Sequence, residues 1–318
     1  MCVLPARLSH RSGGRSFAAF AAVLALAGWG AARGAESITI PNASFETQPD
    51  SYVNINIDAW QKASKPAWYV EGGGFLWTQL TGAFKNTAAS SSDHIDNCDG
   101  AQAIWLFAVP EVALFQDYTS VDWNDPAPTH AFNATFEIGK TYTLTVGVIG
   151  GGGGMLEGAS LQISLYYRDG TGNKVTVGAT SISNSLATFP TNTHLVDCQV
   201  RVPVVRPGDA WAGQKIGVQF LSTVGLDLQG GYWDLDNVRL SATADPALQC
   251  APAGTNARTS FLAATGYQYQ LQSSDTLLSS SWSPYGAPLS GNGTESVTLF
   301  PFAGSPRKFF RVVVTPAP

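Results

Sequence analysis

The stretch Thr141-Tyr-Thr-Leu-Thr-Val-Gly-Val148 decides the fold class of this chain. Its larger apolar residues, Tyr142, Leu144, Val146 and Val148, stand at every second position, with threonine or glycine between them. Because side chains alternate between the two faces of a β-strand, this spacing places the apolar set on one face and the small polar set on the other. The stretch is therefore predicted to be a strand with one buried face.

The same two-residue period recurs further along the chain. Leu161-Gln-Ile-Ser-Leu-Tyr-Tyr167 repeats it, and Arg168-Asp-Gly-Thr-Gly172 follows as a hairpin turn. Residues 216–220 and 238–240 have the pattern of two further short strands. Short strands separated by turn residues predict an all-β sandwich or barrel.

The composition agrees with a β protein. Only 13% of the residues are charged, whereas helix surfaces are normally made of Glu, Lys, Arg and Gln. Two long connections, at about residues 47–97 and 117–130, interrupt the strands. Loops of this length inside a compact domain usually carry function.

The first 35 residues have the three-part pattern of a secretory signal peptide. Arginines at positions 7, 11 and 15 precede an apolar run over residues 17–29, and small residues follow. The run is shorter than the ~20 residues that a membrane span requires. We therefore expect a secreted protein, extracellular or at the cell surface (or periplasmic), with no membrane span after signal removal.

Charge narrows the class of partner. Without the signal segment, 14 basic and 23 acidic residues remain, a net charge of −9. An acidic chain without clustered basic residues argues against nucleic acid and anionic membranes as partners. Carbohydrate, a cell-surface glycan or a divalent cation fits this charge better.

Three cysteines remain after the signal segment: Cys98, Cys198 and Cys250. Export makes a disulfide possible, and Cys98 with Cys198 is one candidate pair because both lie in the first predicted domain. Sequence spacing does not fix the connectivity. Free buried thiols are the alternative.

The domain organisation follows from a change of composition near Ala242. Residues 36–243 are predicted to form one β-sandwich. Asp245-Pro246 and the following residues indicate a linker over 244–258. Strand patterning then resumes, so residues 259–318 are predicted to be a small second β domain, near the lower size limit for independent folding.

Three segments resemble one family: Ile40-Pro-Asn-Ala-Ser-Phe-Glu46, Gly100-Ala-Gln-Ala-Ile-Trp-Leu106 and Tyr232-Trp-Asp-Leu-Asp-Asn-Val-Arg-Leu240. Their order and spacing resemble the galactose-binding-like jelly rolls, in particular carbohydrate-binding modules of families 4 and 9. The resemblance implies a jelly-roll β-sandwich over about residues 38–242 and a secreted, non-catalytic module that binds carbohydrate. The tail, with Trp282 and Phe309-Phe-Arg311, resembles a C-terminal β module of secreted proteins from Verrucomicrobia-like bacteria.

The resemblance also implies a structural calcium ion. Glu46 and Asp236 match the family's ligand positions, and Asn237 stands where the family has a second acid. Independently, Asp236 has the same strand parity as Val238 and Leu240, so a core-facing strand would bury its carboxylate. A buried carboxylate requires a partner or a cation, and calcium binds oxygen ligands. The alternative is an aspartate that accepts backbone N–H bonds without a metal.

Four tryptophans in the long loops are the candidate ligand-binding residues: Trp60, Trp68, Trp77 and Trp123. A flat indole stacks on the apolar face of a sugar ring. The alternative is that these aromatic side chains fold back and cap the open end of the sandwich, since large aromatic residues are mostly buried.

The sequence contains no Gly-x-Ser-x-Gly, His-Glu-x-x-His or Walker motif. We therefore predict a binding protein and not an enzyme. One alternative is an enzyme on the same fold, either glycan-active or similar to the calcium-dependent cyclases of bacterial alkaloid pathways, in which Asp234 would be a general acid. A third reading is a structural cell-surface protein.

Overall fold

The computed structural model describes residues 2–5, 35–47, 49, 52–72, 74–121, 131–254, 256–301 and 307–317. Regular structure in these ranges is almost entirely β, with two short 3-10 helices at Trp77–Gln79 and Ser279–Ser281. No helix in the described ranges has the length and apolar character needed to cross a membrane. The strands are β1 (Cys2–Pro5), β2 (Glu36–Ile38), β3 (Val53–Asn54), β4 (Gln61–Lys62), β5 (Thr81–Lys85), β6 (Gln102–Phe107), β7 (Ala113–Gln116), β8 (Lys140–Gly152), β9 (Ser160–Arg168), β10 (Lys174–Ser183), β11 (Val196–Val202), β12 (Gly217–Ser222), β13 (Tyr232–Ala244), β14 (Gln249–Ala253), β15 (Asn256–Ala263), β16 (Tyr267–Ser274), β17 (Ser283–Pro284), β18 (Leu289–Ser290), β19 (Thr294–Pro301) and β20 (Arg307–Pro316).

Two antiparallel sheets pack face to face, so the predicted β-sandwich is confirmed. The first sheet has seven strands in the order β11-β8-β13-β6-β5-β3, with β2 also paired to β13. The second sheet has five strands in the order β10-β9-β12-β7-β4. The alternating sequence of β8 and β9 places one face of each strand between the sheets.

The core lies between these two sheets. Leu144, Val146 and Val148 from β8 meet Leu161 and Ile163 from β9 there, all of them fully buried. Burial of a side chain of this size stabilises a fold by about 1.5–3 kcal/mol. The alternation read from the sequence is therefore the pattern that closes the sandwich.

The chain from β14 onward, together with β1, forms two smaller sheets. One has the order β14-β15-β19, and the other has the order β1-β20-β16-β17, with β18 also paired to β16. Residues 244–258, which the sequence indicated as a linker, contain β14 and the start of β15. This segment contains strands because Gln249–Ala253 pairs with Asn256–Ala263 in a hairpin.

A buried lysine connects these smaller sheets to the sandwich. Lys140, at the start of β8, is 4% exposed. Its Nζ lies 2.9 Å from a carboxylate oxygen of Glu36 and 3.1 Å from one of Glu137. The hydroxyl of Tyr267, on β16, donates to the same Glu36 carboxylate at 3.4 Å. This polar cluster joins β2, β8 and β16.

Candidate functional site

The candidate site lies on the outer face of the first sheet, the face turned away from the core. Trp233 and Leu235 of β13 point into the core, so Tyr232, Asp234 and Asp236 between and beside them point outward. Asp234 is paired across the ladders with Trp105 on β6 and with Ile149 on β8. These partners put Asp234 in the middle of the sheet.

Asp234 has the surroundings of a carboxyl group that retains its proton. Its Oδ1 atom is buried and accepts no hydrogen bond from the described residues. Burial raises the pKa of Asp234 to about 7, because a low-dielectric environment disfavours the charged form. Near neutral pH the group can therefore give up a proton and take one back.

Aromatic rings line the face beside Asp234. The Phe107 ring centroid lies 5.9 Å from that of Tyr232 and 5.0 Å from that of Phe75. Phe75 is 54% exposed, so the row of rings runs from the acid to solvent. Trp105 is half-buried, and its indole N–H donates to the carbonyl of Gln79 at 3.0 Å. The part of the face beside these rings is apolar apart from Asp234, as in sites that bind small apolar ligands.

Two loops cover the face beyond Ile149. Ile95 and Leu195 from these loops are buried against Ile149 and Ala103. The amide of Asn97 donates to the carbonyl of Leu195 at 2.9 Å, and the backbone N–H of Leu195 donates back to Asn97 at 2.8 Å. These reciprocal bonds hold the two loops together as a roof over one side of the site.

Glu46 and Asp236, the predicted calcium ligands, bind neighbouring residues of one turn. Glu46 accepts hydrogen bonds from the backbone N–H groups of Ala101 and Gln102 at 2.8 and 2.7 Å. Asp236 is fully buried, and its Oδ2 accepts the backbone N–H of Asp99 at 2.6 Å. The structure therefore brings the two carboxylates to the same segment of chain.

The residues present fit a calcium ion in part. Asp236 Oδ1 is buried and has no hydrogen-bond partner among the described residues, which leaves an oxygen for a cation. Within the described ranges, however, no group of three or more His, Cys, Asp or Glu side chains is arranged to hold a metal. A calcium ion here would need backbone carbonyls and water as its other ligands.

The parity argument for Asp236 was wrong, although the residue is buried. Asn237 has a φ of 55°, and the β13–β8 register shifts between Asp236 and Arg239. A bulge of this kind inserts one residue and reverses the alternation. Val238 and Leu240 therefore face the core, whereas Asp236 faces the turn at Asp99 on the opposite side of the sheet.

The structure corrects two of the four tryptophan candidates. Trp60 is 5% exposed and its ring lies against those of Phe45 and Phe220 in the core. Trp77 is also buried, with its indole N–H donating to the carbonyl of Ala63 at 2.7 Å. Neither ring has a free face on which a ligand could stack.

The other two candidates have different outcomes. Trp68 is 40% exposed, and its indole N–H donates to a carboxylate oxygen of Glu111 at 2.8 Å. Its ring lies edge-on to that of Trp77, outside the row that leads to Asp234. Trp123 lies outside the described residues.

Cys98 and Cys198 are not bonded to each other, so the candidate disulfide between them is absent. Cys198 packs against the core between the sheets. Cys98 lies on the outer face, where its thiol donates to the carboxylate of Asp236. The first sheet separates the two sulfur atoms, which a sequence spacing does not reveal.

A family model described as HpiC1-like, HpiC1 cyclase, matches residues 36–241, more than half of the chain. The chain belongs to the HpiC1-like cyclase family. The match covers every residue of the candidate site, from Glu46 to Asp236. A comparison of the sequence with curated proteins gives no match.

Several solved structures are similar to this member of the HpiC1-like family. A cyclase from Fischerella sp. TAU is 21% identical with a TM-score of 0.47, over 67% of this chain and 99% of that chain. The CBM22-1 xylan-binding domain of Paenibacillus barcinonensis Xyn10C is 15% identical with a TM-score of 0.33, over 67% of this chain and 98% of that one.

The family match overturns two predictions. The chain was expected to be a non-catalytic carbohydrate-binding module and not an enzyme, whereas its family is one of cyclases. The prediction was wrong because a binding module and an enzyme of this fold share their strand pattern, and the chemistry depends on a few side chains on one face.

Asp234 was predicted from the sequence as the general acid of the enzyme alternative, but its neighbours were not predicted. Trp105, Phe107, Ile149 and Tyr232 were given no functional role. Parity with Trp233 and Leu235 places Tyr232 and Asp234 on one face of β13. That signal was readable, but the strands that lie beside β13 were not.

Proposed function

We propose that this protein is an acid-catalysed cyclase that closes a ring in a small, mostly apolar molecule, with Asp234 as the proton donor. The observation that supports this most directly is the buried, unpaired Oδ1 of Asp234 on an aromatic face. Membership of the HpiC1-like cyclase family supports the reaction class.

The proposed reaction begins with proton transfer. Protonated Asp234 gives its proton to one carbon of a substrate double bond, and the other carbon of that bond becomes the cationic centre. A nucleophilic π bond of the same molecule attacks that carbon and forms the new ring. The Asp234 carboxylate then takes a proton from the ring-closed cation, so the product is an isomer of the substrate and the acid is regenerated.

The aromatic residues support the charged intermediate. The rings of Tyr232 and Phe107 lie on the same side of the sheet as Asp234, with centroids 5.9 Å apart, and a cation over the face of such a ring is stabilised by about 0.5–2 kcal/mol. The apolar roof of Ile95 and Leu195 keeps water from one side of the cation, and water would otherwise add to it and divert the reaction.

The test uses alkenyl arenes, alkenyl indoles among them, because they carry both a double bond to protonate and a π nucleophile. We expect the purified protein to convert at least one of them to a product of unchanged mass in water. In D2O the product should contain one solvent deuterium for each proton transferred to carbon.

Substitution of Asp234, compared with a control substitution of an exposed aspartate, tests its role as the acid. We expect Asp234→Asn to remain folded and to lower kcat by about 10²–10⁴-fold, the usual contribution of a general acid. Asp227→Asn, at an exposed position, is the control and should keep wild-type activity. Turnover by Asp234→Asn at the wild-type rate would refute the proposed role.

We also propose that a calcium ion binds between Glu46 and Asp236 and has a structural role. The unpaired, buried Oδ1 of Asp236 and the position of Glu46 against the same turn support the site. Export through the signal segment, likewise a proposal, would place the protein where millimolar-affinity calcium sites are occupied.

A further inference from the structure

A glycine beside Trp105 accommodates its indole ring. Trp105 on β6 is paired with Asp234 of β13 on one side and with Gly82 of β5 on the other. Neighbouring strands lie about 4.8 Å apart, so the ring can lie over β5 or toward β13. Its direction decides how much space remains beside the acid.

The ring lies over β5. A Cβ atom built on Gly82 would lie 2.2 Å from Cη2 and 2.4 Å from Cζ2 of Trp105, which is far inside van der Waals contact. The indole N–H, bonded to the carbonyl of Gln79 at 3.0 Å, fixes the ring at that end. The six-membered part of the indole therefore occupies the volume that any other residue at position 82 would fill.

We propose that Gly82 is a positioning residue that draws the Trp105 indole away from Asp234 and so keeps the carboxyl group open to a substrate. The proposal deepens the proposed function, on which its catalytic meaning rests. A side chain at position 82 would push the ring off β5. The ring would then move toward β13, because its other side is bounded by the backbone at Gln79.

The second sheet contains a matched control. Gly217 on β12 is paired with Tyr166 on β9, and a Cβ built on Gly217 would lie 2.3 Å from Cζ of that ring. The packing problem is the same, but the ring lies on the other sheet, away from Asp234. Gly82→Ala and Gly217→Ala should both lower Tm by several degrees, since both overpack a ring.

The experiment measures access to Asp234 without a substrate. The full chain is treated with a water-soluble carbodiimide and glycinamide, and amidation of Asp234 is quantified by peptide mass spectrometry. We expect Gly82→Ala to slow labelling of Asp234 about tenfold, as a shift of a ring between open and closed positions allows, and Gly217→Ala to leave it unchanged. Gly82→Ala/Trp105→Leu, which removes the displaced ring, should restore the wild-type rate.

A Cβ atom at position 82 also approaches the carbonyl of Asn54 on the edge strand β3, which is a second reason for Gly82→Ala to fail to fold. Trp105→Leu, which keeps the native glycine, covers that case. Trp105→Leu alone should change labelling of Asp234 by less than about twofold, because the native indole ring lies over β5 and does not cover Asp234. A large rise in that variant, or unchanged labelling in folded Gly82→Ala, would overturn the proposal. Loss of turnover is not part of this readout, so failure of the proposed cyclase activity would leave the labelling result interpretable.

Discussion

Asp234 and Asp236 stand two residues apart on the same face of β13, and burial raises the pKa of each to about 7. They differ in their partners. Asp236 accepts the backbone N–H of Asp99, so it is held in place at the turn, whereas Asp234 accepts no hydrogen bond at Oδ1 from the described residues. Asp236 is therefore suited to a fixed structural role, and Asp234 is suited to exchanging a proton with a ligand.

Chelation of calcium tests the structural role of Asp236. If calcium binds at Glu46 and Asp236, addition of EDTA should lower Tm by several degrees, because a ligand at 100 times its Kd stabilises the native state by about 2.7 kcal/mol. Thermal unfolding with and without EDTA measures this. Glu46→Gln/Asp236→Asn should lose the response, and Asp234→Asn on the same strand should keep it. An unchanged Tm of the wild type in EDTA would contradict the site.

The bulge at Asn237 is the element on which the geometry of β13 depends. On its N-terminal side Trp233 and Leu235 face the core, and on its C-terminal side Val238 and Leu240 do. One extra residue between them lets β13 present Asp234 and Asp236 outward and still supply apolar residues to the core on both sides. Without the bulge, one of the two sets would face the wrong way.

Substitution at Asn237 tests this. The residue has a φ of 55°, which asparagine and glycine tolerate and a β-branched residue does not. We expect Asn237→Val to lower the free energy of unfolding by about 1–3 kcal/mol and Asn237→Gly to leave it nearly unchanged. Urea denaturation measures both. Equal stability of the two variants would mean that the bulge does not require the left-handed conformation.

The elements differed in how far the sequence could predict them. Strands β8, β9 and β12 follow from the alternation of apolar residues. Strand β5, Thr-Gly-Ala-Phe-Lys, was missed because Gly82 and Ala83 interrupt any alternation. The two acids of β13 were readable, but the backbone N–H that holds Asp236 comes from the loop at Asp99, and a sequence does not state which loop folds over which strand.

At the scale of the whole molecule, the sandwich and the later sheets meet at Lys140. Burial alone would lower the pKa of Lys140, but Glu36 and Glu137 hold it above its ordinary value. The lysine is therefore charged at every pH below about 10.4, the ordinary lysine value. Since the folded pKa is the raised one, its contribution to stability is fully present below that pH and is lost as the pH rises further.

Lys140→Met removes that charge and leaves Glu36 and Glu137 without their shared partner. We expect Tm to fall by several degrees, for a loss of about 1–2 kcal/mol, since both carboxylates are partly exposed and water moderates the effect. Differential scanning calorimetry at pH 7 measures it. Lys85→Met, at an exposed position, is the control, and a Tm of Lys140→Met equal to that of the control would contradict the role of the cluster.

The candidate site lies on the outer face of the first sheet, whose inner face forms the core. Along β6 and β13, side chains that pack into the core alternate with side chains that face the candidate site. If the proposed function holds, mutations at Trp105 and Tyr232 can therefore change what is bound without opening cavities in the core between the sheets. New chemistry can evolve on this scaffold while the residues that hold it together stay as they are.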